Sequence, residues 1–548
     1  MNFNLADLFE NVADHVPERT AIVYGTRRLT FAEVDERATR LAHVLRQQGV
    51  KTGDRVGIYL YNCNEWIESA LAAFKVRASP VNINFRYVAD ELRYLFNDAG
   101  ISALVYGRSF GERVASVASD VPTLHTLIEV DDAVPPPPPG ASDISVSGAI
   151  AYEPAIAAAS PARDFPARSG DDLYIIYTGG TTGMPKGVMW RQEDCFFAGL
   201  QGGNPGGPPI TAPHQIGPNA AAREAPPTTL PVAPLMHGNG YWAATIGLHG
   251  GGKVVLAASR HLDPHEIWSL VEREQVNVMS IVGDAMARPL AEALSEPGAA
   301  YDTSSLLVIS SAGVLWSDHV KEQLRGKLRA LLIDAFGASE SGHQGMNLGA
   351  TAGGRPRFSV DAHTAVLDDE LRRVAPGSRV VGRLARTGRI PLGYWNDEAK
   401  TAATFIVDAE GNRWVVPGDM ATVEEDGTVT LLGRGSLCIN SGGEKIYPDE
   451  VEQAIKSHPG VFDAVVVGVP DERWGERVAA IVQARDGATA PTLEGLDMHC
   501  RARLAGYKVP RELHVVETIE RSPSGKADYR WAKAVAMRGA GTRRSEMP

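Results

Sequence analysis

Cysteine is scarce in this chain. Cys63, Cys195, Cys438 and Cys500 stand far apart among 548 residues, and no C-x-x-C pair occurs. The spacing argues against a disulfide framework or a thiolate zinc site and suits a reducing cytoplasm. Long apolar runs are missing too. None reaches the ~18 residues of a spanning helix, and the opening "MNFNLADLFENVADHVPERT" carries acids where a signal peptide has its apolar segment. Positive charge is in deficit, with 54 Lys and Arg against 66 Asp and Glu and a net charge of −12. Nucleic acid is therefore a poor candidate partner, because phosphate-backbone binders present a basic face. Neither G-x-x-x-x-G-K-[ST] nor G-x-G-x-x-G occurs, which excludes a Walker A loop and a dinucleotide fingerprint. The expectation is a soluble cytoplasmic protein, in contact with membrane at most peripherally.

What is present alternates between helix and strand patterns. "LTFAEVDERATRLAHVLRQQG" opens with Thr30 and Glu33 at capping-box spacing, sets Phe31, Val34, Ala38, Leu41 and Leu45 on one face, and stops at Gly49. "DRVGIYL", "ISALVYG" and "GGKVVLA" read as short strands. Such alternation predicts an α/β fold, with a large multi-layer N-terminal domain of parallel-rich sheets over residues 1–432. A change of texture near residue 433 predicts a hinge at 433–436 and a small, mobile α+β C-terminal domain over 437–548. Two stretches read as loops by composition: "DDAVPPPPPGASD", and the Gly/Pro-dense segment 202–231, expected to be either a lid or rim of a pocket or a mobile surface loop.

Residues 177–190, "YTGGTTGMPKGVMW", concentrate glycines, threonines and a lysine where a packed core would want none. Backbone donors, hydroxyls and a cation in one loop suit phosphate oxygens. The order Thr178-Gly179-Gly180-Thr181-Thr182-Gly183-x-Pro185-Lys186-Gly187 resembles the phosphate loop of the adenylate-forming superfamily, which includes acyl-CoA synthetases, peptide-synthetase adenylation domains and luciferase. Seven further segments resemble that family's motifs in order: "PLMHGNG", "SSAGV", "DAFGASE", "GRLARTGRIPLGYWNDEAKT", "WVVPGDMA", "GRGSLCINSGGEKIYPDEVE" and "SPSGKADYR". The wording is most similar to actinobacterial ligases of long-chain and sterol side-chain acids.

The resemblance implies an ATP-dependent acyl-CoA ligase with ATP, Mg2+ and coenzyme A as cofactor and cosubstrates. It implies phosphate contacts from Thr178, Gly179, Gly180, Thr181, Thr182, Gly183 and Lys186, and a magnesium ligand at Glu340. Adenine would lie against Ala312 and Gly313, with Asp334, Ala335, Phe336, Gly337 and Ser339 around it. Asp419 and Arg434 would hold the ribose. Lys526 would bridge the attacking carboxylate and the α-phosphate, as the catalytic group of the first step together with Glu340 and His237. Gly442, Gly443 and Lys445 fall where the family contacts coenzyme A, and Ser436 occupies a hinge position usually Asp or Lys. His237, Tyr241, Trp242 and the segment 281–288 are expected to wall the acyl pocket.

Peptide-synthetase domains carry an Asp after the His motif to hold an amino group; "HGNGYWAATIG" has none. The expected substrate is thus a bulky apolar acid, such as a steroid with a carboxylated side chain, or a long-chain fatty acid. Alternatives are a fatty acyl-AMP ligase feeding a carrier protein and a luciferase-like oxygenase. The implied partners are a small-molecule acid, ATP and CoA, with a homodimer as the assembly to test.

Overall fold

A computed structural model describes residues 2–132, 146–178, 184–314, 316–348, 351–352, 355–441, 444–471, 473–521, 525–539 and 542–543. In one sheet the strands run in the order Gly393–Tyr394, Lys186–Arg191, Leu173–Thr178, Ser79–Asn82, Arg55–Tyr59, Ala103–Gly107, Thr126–Val130 and Ile150–Ala151. Neighbours from 173–178 onward are parallel, while the edge made by 186–191 and 393–394 is antiparallel. In a second sheet Thr20–Tyr24, Val254–Leu256, Thr229–Pro231, Val278–Ile281, Val308–Ala312 and Leu331–Ala338 lie parallel. The chain then turns antiparallel through Gly342–Asn347, Arg355–Val360, Val429–Arg434 and Asp419–Val423.

Helices Leu5–His15, Phe31–Gln47 and Asn64–Lys75 fill the space between the two sheets. Their apolar faces join Val56, Ile58 and Ile176 of the first sheet to Ile22, Val254 and Leu256 of the second in one buried core. The capping box is formed: Thr30 Oγ1 accepts from the Glu33 amide at 3.2 Å, and the Thr30 amide donates to Glu33 Oε2 at 2.7 Å. That reciprocal bond fixes where the helix starts and so which face of it meets the core.

The C-terminal domain is built on the antiparallel pair Val461–Asp471 and Gly475–Ala484, with Glu512–Val516 added in parallel. Both faces are covered, so apolar residues run nearly unbroken along these strands. Ala464, Val466, Val478, Ala480 and Val482 pack against helices Pro448–Lys456 and Leu493–Arg501. Val465, Val467, Ala479 and Ile481 pack against helix Tyr529–Met537.

The segment 202–231 departs from the expectation of an irregular loop. It forms the helix Ile216–Ala222, which packs on Leu5–His15, and Arg19 donates to the carbonyls of Ala220, Ala221 and Arg223. Most of "DDAVPPPPPGASD" lies outside the described residues. Among the described residues no helix is long and apolar enough to cross a membrane, and the four cysteines are unpaired.

Candidate active site

In open α/β sheets the carboxyl ends of parallel strands leave a crevice for ligands. Several of the motifs read from the sequence lie at such ends, after strands 173–178 and 229–231 and at the ends of 308–312 and 331–338. Strand 173–178 ends at Thr178, which pairs with Lys186 of the antiparallel strand 186–191, so described strands lie on either side of the glycine-rich run. Gly179, Gly180, Thr181, Thr182 and Gly183 themselves lie outside the described residues. Strand 308–312 ends at Ala312, and Gly313 follows with φ of +94°, a backbone state that a side chain would strain. Strand 331–338 carries Phe336, whose ring meets Phe358 edge-on at 4.8 Å, and leads to Ser339 and Glu340. The Ser339 carbonyl accepts from Trp190 Nε1 at 2.8 Å, tying this strand end to the other sheet.

Asp334 is engaged elsewhere. Its carboxylate is buried on Lys321 Nζ at 2.6 Å, and any nucleotide contact at 334 is left to the backbone. Ala335 lies on the same strand, and Gly337 is packed so close to the next one that a Cβ there would run into the Gly342 carbonyl oxygen.

Asp419 and Arg434 face each other in the hairpin formed by 419–423 and 429–434. Arg434 Nε stands 2.9 Å from Asp419 Oδ1, and its Nη1 donates to the Pro417 carbonyl at 3.0 Å. Glu340 Oε1 accepts from the Tyr394 hydroxyl at 3.1 Å. Burial, then the Glu340 charge, pushes that phenol above its ordinary range. Lys186 is ion-paired with Asp397 and lies 5.9 Å from the centre of the Tyr394 ring. The lysine in turn holds Asp397 below the usual carboxylate range. Sequence reasoning missed Asp397 because it lies 211 residues from Lys186.

Lys526 comes from the small domain. Burial and then Arg434 lower its ammonium pKa, while Glu340 and Asp419 oppose the shift. The four groups therefore share one electrostatic environment, although they come from separate motifs. Gly525, at φ +73°, rests on the large domain; a Cβ there would stand 3.1 Å from Val282 Cγ1 and 3.5 Å from Ala285 Cβ. His237 caps helix Gly238–His249, and its buried Nε2 has no hydrogen-bond partner among the described residues. Burial, followed by the charges of Lys526 and Arg86, lowers its pKa to about 4. The imidazole is neutral at physiological pH.

Tyr241 packs inside the core, 4.7 Å from Trp66 and 6.0 Å from Tyr174 between ring centres. Trp242 is partly buried against the same core, beside Gly199 and Gly238. Lys445 is exposed on strand Glu444–Ile446 and lines a cleft of about 380 Å³ with Arg357, Glu424, Tyr447 and Lys508. Gly442 and Gly443 lie outside the described residues. The sequence also carries a G-x-S-x-G string at 107–111, but it is no nucleophile elbow. Ser109 lies in a short 3-10 turn with its hydroxyl on Asp132.

The model of the AMP-binding enzyme matches residues 9–395, and that of the AMP-binding enzyme C-terminal domain matches 450–526. The chain belongs to the AMP-binding enzyme family. A 3-oxocholest-4-en-26-oate–CoA ligase of Rhodococcus rhodochrous is 48% identical over 543 residues, 97% of this chain and 96% of the relative. A medium/long-chain-fatty-acid–CoA/3-oxocholest-4-en-26-oate–CoA ligase of Mycolicibacterium smegmatis is 46% identical over 545 residues, 98% and 97% of the two chains. An anthranilate CoA ligase solved with anthranoyl-AMP superposes with a TM-score of 0.82 over 98% of both chains at 22% identity, and confirms the fold. The family, the mixed α/β architecture and the ligase class expected from the motifs agree with these matches.

Proposed function

We propose that this AMP-binding enzyme is an acid–CoA ligase that joins a bulky apolar carboxylic acid to coenzyme A. The observation that carries the reading is that Lys526, buried and supplied by the small domain, feels the charges of Arg434, Glu340 and Asp419. In the first step a carboxylate oxygen bonds to the α-phosphorus of ATP, the bond from that phosphorus to the bridging oxygen breaks, and pyrophosphate leaves. Lys526 stands between the two anions and offsets the charge that builds between them. Asp419 accepts from the ribose hydroxyls, and Lys186 leaves Asp397 for the phosphates. In the second step the thiol sulfur of coenzyme A bonds to the acyl carbon, the carbon–oxygen bond to AMP breaks, and the thiol proton passes to solvent.

Magnesium would rest on Glu340. Among the described residues no cluster of three or more His, Cys, Asp or Glu is placed to hold a metal. A single carboxylate completed by phosphate oxygens and water fits a hard ion that sheds its hydration reluctantly. When bound, it supplies neutralisation of the phosphate charge.

The small domain would swing between the steps about the turn Gly435–Leu437, where the chain leaves the strand ending at Arg434. That turn overlaps the hinge expected at 433–436, and a swing there would bring Lys445 toward the coenzyme. His237 and Trp242 would border the acid. The relatives' substrates, and the lack of an acid in "HGNGYWAATIG" to hold an amino group, support a steroid with a carboxylated side chain, or a long-chain fatty acid. Unpaired cysteines support a reducing compartment.

A panel of fatty, aromatic and steroid acids, followed by AMP release with and without coenzyme A, tests the reading. Coenzyme-dependent turnover that is greatest with bulky apolar acids is expected. No AMP with any acid would overturn it, and release that ignores coenzyme A would assign an acyl-AMP ligase instead.

A further inference from the structure

Helix Gly283–Ala293 follows the parallel strand 278–281 and presents Ala285, Arg288 and Glu292 at helical spacing to the small domain. Ala285 meets Gly525, as described above. Glu292 Oε1 lies 3.5 Å from Arg485 Nη1. Between them Arg288, only 2% exposed, sets its guanidinium 5.2 Å from the centre of the Phe462 ring.

Phe462 is next to the anchor of the lysine turn. Its neighbour Asp463 receives two hydrogen bonds from Arg521, at 2.6 and 2.7 Å, and Arg521 Nη1 donates to the Gly525 carbonyl at 2.8 Å. The contacts thus run in a closed circuit from Arg288 through Phe462, Asp463 and Arg521 to Gly525, and back to the helix that carries Arg288.

The guanidinium is poorly served where it lies. Neither Nη1 nor Nη2 has a hydrogen-bond partner among the described residues, and Asp284, one turn earlier, is 3.6 Å away with its Oδ2 also unpartnered. Burial, with Arg485 adding to it against Asp284, weakens the hold on its proton. A buried charge without hydrogen bonds is costly, and replacing both members of a buried ion pair by uncharged residues commonly stabilises the packed state. Arg288 therefore contributes packing to the docked small domain and at the same time limits how firmly it is held, because water solvates the group once the domain leaves.

We propose that Arg288 is a positioning residue that docks the small domain through Phe462 for adenylation and, because its guanidinium nitrogens Nη1 and Nη2 lack hydrogen bonds there, eases release of that domain for thioester formation. The inference rests on the two-step reading above.

The two half-reactions are measured apart, as acid-dependent ATP–pyrophosphate exchange and as thioester formation from supplied acyl-adenylate. In Arg288→Met combined with Asp284→Asn, which keeps the packing and removes both charges, exchange is not slowed while thioester formation falls about tenfold. Arg288→Lys, which restores a charge, recovers most of the second step. Phe462→Ala, on the other side of the contact, lowers exchange and spares the second step, and it stands as the test should the methionine variant fold poorly. Equal loss in both steps, no change in either, or a change confined to KM for the acid would overturn the proposal. Wild-type protein that lacks either half-reaction would instead overturn the two-step reading.

Discussion

Two lysines of this AMP-binding enzyme reach one site and are held in opposite ways. Lys186 begins a strand of the large domain and rests on the carboxylate of Asp397. Lys526 stands on a glycine turn of the small domain, where burial and Arg434 disfavour its charge and Glu340 and Asp419 favour it. A cation meant for binding can wait on a carboxylate, ready to exchange it for phosphate. One meant for a transition state gains from a site with little water, where each charge counts for more. Position, more than residue type, separates their proposed roles.

The sharpest break between the two comes from Lys526→Ala. Pyrophosphate exchange is expected to fall by about 10²–10³, while thioester formation from supplied acyl-adenylate stays within a few fold. Equal loss in both assays would erase the distinction. Because the ammonium is the working form and its pKa is lowered, exchange fails on the alkaline side earlier than an ordinary lysine would dictate. Asp419→Asn, which removes a group that favours the charge, moves that limb lower still.

Lys186→Ala has a smaller effect, about tenfold and mostly in KM for ATP. Asp397→Asn, which frees Lys186, lowers that KM by a few fold; an increase would mean that the carboxylate orients the lysine instead of storing it.

The smallest effect isolates burial from chemistry. His249 is buried beside Phe196, and burial alone lowers its pKa from 6.5 to about 4. The unfolded chain takes up the proton first as pH falls, so stability is full above about 6.5 and declines toward pH 4, by up to ~3 kcal/mol. In His249→Phe the thermal midpoint loses much of its slope over that window, while the alkaline limb set by Lys526 is unmoved.

Motif order made the family, the two-domain plan and the main charged groups legible in the sequence. The capping box at Thr30 and the strands within "DRVGIYL", "ISALVYG" and "GGKVVLA" follow from local periodicity, and they form as read. Pairings between distant side chains were not legible. Asp397 with Lys186, Tyr394 with Glu340, Lys321 with Asp334, and Arg288 with Phe462 join residues that no periodicity links. Tyr241 reads as a pocket wall from its place beside the histidine motif, yet the turn of its helix carries it into the core. The segment 202–231 shows a related limit. Gly and Pro mark where regular elements break, but not whether the remaining carbonyls find a donor, and there Arg19 supplies it.

The groups proposed to meet the acid follow strands 229–231 and 278–281, whereas those proposed for adenine lie on or just after 308–312 and 331–338. Each strand end is fixed by its own hydrogen-bond ladder. Exchanges after the first two strands can therefore alter which acid is accepted while nucleotide handling stays intact, so taste for a carboxylate can drift across descendants at little cost to the machinery that activates it.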